Sequence, residues 1–328
     1  MRWLPLLFLL SCSRATASPT DLTFSGECDG SAVVVHDDAL FIGVDEGTTL
    51  LVYPLPEGRP LQAQPHSRID LAPLLERVLD TSLNEKKGTP RELDIEATAR
   101  AGDQLWWLGG HGRSKSGKTR PNRRMLFATS TSPATGMQVV GPPQDLMPAI
   151  LRLPNLGPQV AEAESRDLPP KEGGLSIEGL AAAPSGDELM IGLRSPLTPD
   201  NRAWVLRRTS DGELQEHAQL DLGGLGIRSL TWSKHVGSYL IAAGSTGSGG
   251  PFALYRWDGQ GAPERIDLDL GTLRPEGLTD LPAGLLLVSD DSGVKRDGFD
   301  CKDRRAADPT DPLVHFRARI LSPSELRR

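Results

Sequence analysis

One phrase recurs five times along the chain, and it limits the fold more than any other feature. Each copy runs from a polar turn through a short segment carrying Glu or an equivalent, then a Gly-containing turn, then an apolar strand. The copies are residues 28–44 (CDGSAVVVHDDALFIGV), 94–110 (DIEATARAGDQLWWLGG), 176–192 (SIEGLAAAPSGDELMIG), 226–244 (GIRSLTWSKHVGSYLIAAG) and 274–289 (RPEGLTDLPAGLLLVS). Glu178 and Arg228 lie 50 residues apart, and Arg228 and Glu276 lie 48 apart. A unit of that length with four strand candidates suits a propeller blade. In the third unit Ala203–Arg207 precedes an Asp211-Gly212 hairpin turn, and 213–222 follows; the fourth unit repeats this with Ala253–Trp257, Asp258-Gly259 and 264–270. The chain holds 35 Gly and 27 Pro without a G-X-Y period, which excludes collagen and argues against a helical bundle. Regular strands alone would also suit a β-sandwich, but the phrase favours an all-β fold, a single β-propeller of five blades over residues 18–328.

Two spacings exceed the unit. Ile69, Leu71, Leu74, Leu75, Val78 and Leu79 fit a short amphipathic helix inserted in the first gap. In the second, 144–153 reads as another short helix and 157–172 as a polar loop, with room for an irregular sixth blade between 130 and 172. Val314–Ile320 alternates with period two; it either completes the last blade or pairs with the first to close the ring.

Equivalent positions of a propeller's inner strands converge on its axis. Glu96, Glu178 and Glu276 therefore meet there, with Arg228 in the fourth place and Gly30 or Ser31 in the fifth. Close carboxylates need an arginine, a divalent metal or a proton to offset them, and oxygen-only ligands suit Ca²⁺ or Mg²⁺. A second ring follows the second strands: Asp45 and Glu46, His111 and Arg113, Arg194, then Asp290 and Asp291. Loops on a rigid scaffold commonly carry function. Arg113, Arg194 and Arg228 are candidates to hold an anionic group, Asp290, Asp291 and His111 to serve chemistry, and Glu96, Glu178 and Glu276 to hold metal.

Other signals weigh less. Gly112–Thr119 spells G-x-x-x-x-G-K-T, yet it precedes Pro121 and the strand-like Met125–Thr129 instead of a helix, so no nucleotide is expected. Arg113, Lys115, Lys118, Arg120, Arg123 and Arg124 make that segment basic, a solvated hairpin or an anion-binding lip. The six His show no close metal-ligand spacing, and the net charge of −7 offers no footprint for nucleic acid.

Met1–Leu10 is a basic start followed by an apolar run too short to span a membrane. Residues 1–17 read as an export signal ending at Ala15-Thr16-Ala17; alternatively Leu9–Cys12 resembles a lipobox that lipidates Cys12. Either places the protein in the periplasm or outside the cell, as an expected monomer without a transmembrane segment. Cys28 and Cys301 then remain as a candidate disulfide in an oxidising compartment, or as two unpaired thiols.

The segments GECDGSA, ELDIEATAR, LWWLGGHGR, GKTRPNRRMLFAT, SIEGLA, LDLGGLGIRSL, LYRW and RPEGLT, taken in order over about residues 24–300, resemble the DUF3616 family. That resemblance implies a propeller-like fold and assigns no reaction. The IEGLA and PEGLT phrases resemble, more distantly, esterase-like phytase and lactonase-type propellers, whose EG-turn Glu holds a channel metal. Glu178 and Glu276 match that phrase, whereas Ala97 follows Glu96 and Arg228 replaces the acid. Two functions are expected to compete: binding of a small anion or a protein partner at the charged channel face, and metal-dependent hydrolysis of phosphoesters or other esters.

Overall fold

A computed structural model describes residues 21–56, 62–80, 82, 88, 91–132 and 136–327. Four sheets of four strands and one of five make a five-bladed propeller. Blade one is Ala32–His36, Ala39–Gly43, Thr49–Pro54 and Ser67–Asp70; blade two is Ile95–Ala101, Gln104–Gly109, Leu126–Ser132 and Gly136–Gln144. Blade three is Ser176–Ala182, Leu189–Ser195, Ala203–Arg208 and Leu214–Leu220; blade four is Gly226–Ser233, Ser238–Gly244, Phe252–Trp257 and Glu264–Ile266. Blade five takes Pro275–Leu281, Gly284–Ser289 and His315–Leu321 from the C-terminal part of the chain and Leu22–Ser25 from the N-terminal part, with Gln62–Ala63 added at its rim. The first strand in each of these sets is innermost, and the five inner strands touch in cyclic order.

Each blade interface carries its own apolar cluster, which is why consecutive inward residues on both faces of a blade are apolar. Val34, Phe41, Ile95 and Trp107 join blades one and two. Leu108, Ile177 and Trp204 join two and three. Val205, Ile227, Ile241 and Tyr255 join three and four, and Leu240, Leu254, Leu278 and Leu287 join four and five. The ring closes where Phe24 stacks on Phe316 at 5.1 Å; Tyr53 of blade one meets both rings edge-on and donates its hydroxyl to Ser25 O at 2.8 Å. His315–Leu321 therefore completes the last blade, and Leu22–Ser25, which the periodicity does not single out, supplies its outer strand.

Three expectations change. Residues 130–172 hold no sixth blade: their strands are the outer half of blade two. The apolar run from Ile69 is not a helix, because Ser67–Asp70 pairs with Thr49–Val52 as an outer strand. The remainder turns irregularly, with Leu75 N–H shared between Leu71 O and Ala72 O, while Leu71 and Leu75 still fill the blade one–two core. After helix α1 (Met147–Ile150), the expected polar loop contains helix α2 (Leu156–Ser165). Leu156, Val160 and Ala163 bury its inner face; Pro158 lies in its first turn, where a missing N–H costs nothing. Helix α3 (Cys301–Ala307) belongs to the insertion between the second and third strands of blade five. The export segment 1–17, with Cys12, lies outside the described residues. Among those described, no helix is long and apolar enough to cross a membrane.

Candidate functional site

The repeated charged residue is the extra residue of a β-bulge. Inner-strand pairing skips Glu96 between Ile95 and Ala97, Glu178 between Ile177 and Gly179, Arg228 between Ile227 and Ser229, and Glu276 between Pro275 and Gly277. A bulge leaves one residue unpaired and re-aims its side chain. All four line one cavity of about 410 Å³ at the channel mouth. The Gly that follows Glu178 or Glu276 is a packing requirement. A Cβ on Gly179 would lie 2.8 Å from Ile227 Cγ2, and one on Gly277 2.5 Å from Val288 Cγ2 and 2.8 Å from Val33 Cγ1.

Arginine neutralises the acids of blades three and five. Arg228 Nη1 lies 3.0 Å from Glu178 Oε2, and its Nη2 pairs with Glu276 Oε1. Arg194 Nη1 donates to Glu178 Oε1 at 3.0 Å, while its Nε and Nη2 donate to Ser245 O and Gly247 O. Glu178 is thus held by two arginines and by Ser176 Oγ at 2.9 Å.

Blades one and two present a second, less compensated group. Asp29, which the phrase places one residue before the expected fifth position, is buried and accepts Ser31 Oγ at 2.6 Å. Burial, then the Asp45 and Asp290 charges, push its carboxyl well above the usual range. Asp45 is raised mainly by burial, with a hydrogen bond to Asp29 opposing it. Glu96 is raised well above its usual value by burial and by the charges of Glu178, Asp94 and Asp45. Asp94 sits at φ +55°, and burial lifts it to about 7 against the pull of Arg123, whose Nη1 is 3.3 Å away. Glu27 is raised by burial although Arg305 of α3 pairs with it; Arg305 also donates to Glu46 at 2.6 Å. Asp29, Glu276 and Asp290 each bring a carboxylate oxygen within 4.8 Å of the others.

Other sequence candidates lie elsewhere or are already engaged. Asp291 is buried and does not line the cavity; Arg317, Arg296 and Ser289 hold both its oxygens, and its N–H donates to Cys28 O. His111 is also buried away from the cavity. Its Nδ1 faces Gly109 O at 2.7 Å and its Nε2 accepts Leu146 N–H, and burial lowers it to about 4, so it is neutral. Arg113 reaches the cavity but binds Glu164, Asp167 and Gly117 O. Asp290 lines the cavity, its Oδ1 accepting Ser292 N–H at 2.7 Å. The G-x-x-x-x-G-K-T segment forms a turn at Ser114–Lys118, followed by a 3₁₀ turn at Pro121–Arg123 and the strand Leu126–Ser132. Cys28 and Cys301 are bonded, 5.8 Å apart at Cα, and tie α3 to the ring-closing segment.

Fold and site together define a five-bladed propeller with a carboxylate-rich channel mouth. The chain belongs to the family described as a protein of unknown function (DUF3616), whose model matches residues 29–131 and 128–292. No curated protein matches the chain. Among solved structures it is similar to an arabinanase of Bacillus subtilis at 11% identity, covering 92% of this chain and 96% of that one with a TM-score of 0.46. It is also similar to an exo-β-1,3-galactanase of Phanerochaete chrysosporium with β-1,3-galactotriose, at 11% identity and a TM-score of 0.47. That match covers 89% of this chain and 60% of the galactanase, so the chain spans less than two thirds of it. A putative oxidoreductase (glucose dehydrogenase) of Thermus thermophilus shares 12% identity over 92% of this chain and 100% of its own, with a TM-score of 0.43.

Proposed function

We propose that this protein binds a small ligand in the channel mouth and acts outside the cytoplasm. The observation that carries the reading is the convergence of bulge residues from four blades on one cavity whose blade one and two carboxyls lack full compensation. Such carboxyls lower their free energy when a ligand brings hydrogen-bond donors or positive charge. The buried Cys28–Cys301 bond supports an exported location, since such bonds persist in oxidising compartments. The test is a small-molecule thermal-shift screen of the protein and its Asp290→Asn variant. Ligands that stabilise the first and not the second support the reading; ligands that stabilise both equally overturn it.

One observation favours a second reading, a divalent cation serving hydrolysis of an ester or phosphoester. Oxygens of Asp29, Glu276 and Asp290 within 4.8 Å of one another fit a Ca²⁺ with ligands at about 2.4 Å. When bound, the ion would polarise an ester oxygen or acidify a water. Arg228 competes for Glu276, so the cation must displace that pairing in part. A rise in melting temperature with Ca²⁺, absent in Asp290→Asn, supports this reading; indifference to Ca²⁺ and to chelator sinks it.

A further inference from the structure

The arginines of the cavity are engaged, and its lysines are not. Arg123, Arg194, Arg228 and Arg305 pair with the mouth's carboxylates Asp94, Glu178, Glu276 and Glu46, and Arg113 pairs with the α2 side. Lys115 and Lys171 line the same cavity and, like Lys302 of α3, which also lines it, make no ion pair or side-chain hydrogen bond among the described residues. Both are exposed at the rim.

The two turns that carry them are firmly held. Lys115 lies in the turn closed by Ser114 N–H to Lys118 O at 2.9 Å and Gly117 N–H to Ser114 O at 2.8 Å. Arg113 Nη1 clamps Gly117 O at 2.7 Å. Lys171 lies in the 3₁₀ turn Pro170–Glu172, preceded by Pro169. Ser195 Oγ reaches Pro170 O and Gly174 O at 3.2 and 2.6 Å, and Gly112 packs so close to Pro170 that a Cβ there would lie 2.6 Å from its Cγ. Burial, then the charges of Arg194, Lys115 and Arg228, lower the pKa of Lys171, while Asp290 opposes the shift. Lys115 and Lys171 thus share one cavity lining with the carboxyls of Asp29, Glu276 and Asp290 and with Glu172 beside Lys171, and an anion between the two lysines offsets their like charges.

We propose that Lys115 and Lys171 form an oxyanion-binding rim that holds the phosphate or carboxylate of a polyhydroxylated ligand, whose hydroxyls reach Asp29, Asp290 and Glu276 below. This rests on the channel-binding reading and gives the anchoring role to lysines of two insertions in place of Arg113, Arg194 and Arg228. Hydroxyls suit that floor because each can donate to a carboxylate or accept from a protonated carboxyl.

The test is calorimetric titration with glucose 6-phosphate, gluconate and glucose. Wild type should bind one or both anions, which identifies the oxyanion as phosphate or carboxylate, and should bind glucose at least tenfold more weakly. Lys115→Met/Lys171→Met should weaken the anion by about 100-fold, tenfold for each charge-assisted contact, whereas Lys171→Arg should stay within about threefold. Lys234→Met, at the opposite channel mouth, should change nothing. No anion binding to wild type, glucose binding as tight as the anions, or an unchanged double lysine variant overturns the rim. Asp290→Asn separates the two readings. Binding lost there but kept without the lysines leaves the channel reading standing and removes the rim. Binding lost without the lysines but kept in Asp290→Asn means surface capture of anions and overturns both the floor contacts and the channel reading.

Discussion

Replacing Arg228 by Met removes a cation that the acids of blades three and five share. Glu178 keeps Arg194 and Ser176, but Glu276 loses its only basic partner among the described residues while facing Asp29 and Asp290. Glu178 and Glu276 are 3% and 7% exposed, so water does little to screen the change. Removing one member of a buried ion pair commonly costs about 3–5 kcal/mol, because the remaining charge is left desolvated. For roughly 300 ordered residues unfolding with about 2.1 cal/mol/K each, that loss lowers the melting temperature by about 5–8 °C. Glu276 escapes the penalty by taking up a proton, so the loss should shrink as pH falls toward about 4. The assay is urea unfolding of wild type, Arg228→Met and Arg228→Met/Glu276→Gln over a pH series. The double variant removes the uncompensated charge and should regain most of the stability. A single-variant loss below about 1 kcal/mol, a loss independent of pH, or a double variant no better than the single refutes the reasoning.

Three further outcomes follow from the same geometry. Joint Cys28→Ala/Cys301→Ala replacement frees a 273-residue loop, for which the chain-entropy relation gives about 5.6 kcal/mol, read as a lower urea midpoint; a change under about 1 kcal/mol contradicts it. Asp29, Asp45, Glu27, Glu96 and Asp94 are all raised in the folded state, Asp94 to about 7, so their stabilisation is complete below about pH 4 and is lost as pH rises through those raised values. His111, lowered to about 4, works the other way and loses stability as pH falls from about 6.5; the five raised carboxyls outweigh it, so urea stability should decline from about pH 5 to 7 and less steeply in Asp94→Asn, and a rising profile contradicts this. Gly277→Ala forces a Cβ against Val288, Val33 and Gly30 O and should cost about 1–3 kcal/mol by thermal melting; an unchanged melting temperature shows that the blade interface relaxes.

The repeat length made the blades legible because each blade buries the same alternation against its neighbours. Four of the five inner positions, Glu96, Glu178, Arg228 and Glu276, were legible for the same reason. At the fifth, the expected Ser31 does line the cavity, but the acid there is Asp29: blade one has no bulge, so Asp29 reaches the cavity from ahead of its inner strand instead of from within it. Asp94 was open to the same reading, since it precedes Glu96 at the same offset as Ser176 precedes Glu178. His111 and Asp291 read as free loop residues because local sequence does not reveal long-range partners. Arg317 lies 26 residues beyond Asp291, and Leu146 lies 35 beyond His111. The pairing of arginines with acids, which leaves the lysines of the rim without side-chain partners among the described residues, depends on blade-to-blade distances that spacing does not encode.

The bulges explain why the phrase varies after its charged residue without losing it. Where blades approach closely, at Gly179 and Gly277, only a residue without Cβ fits beside Ile227 and Val33 of the neighbouring blades, and Val288 of the same blade crowds Gly277 as well. In blade four the same place is Ser229, whose Oγ accepts Leu278 N–H from blade five, so a polar contact stands where the others have bare approach. Blade two tolerates Ala97 within the interface with blade three. The charged residue is therefore governed by the bulge and the axis, and the residue after it by the neighbouring blade. That independence allows arginine to replace glutamate at one blade while the ring stays intact. It also makes the neutralisation uneven: Arg194 and Arg228 serve blades three to five, while the Asp29–Asp45 side has a serine hydroxyl and Arg305 at its edge. Under the channel-binding proposal, the ligand gains most by meeting the side that Arg194 and Arg228 do not reach.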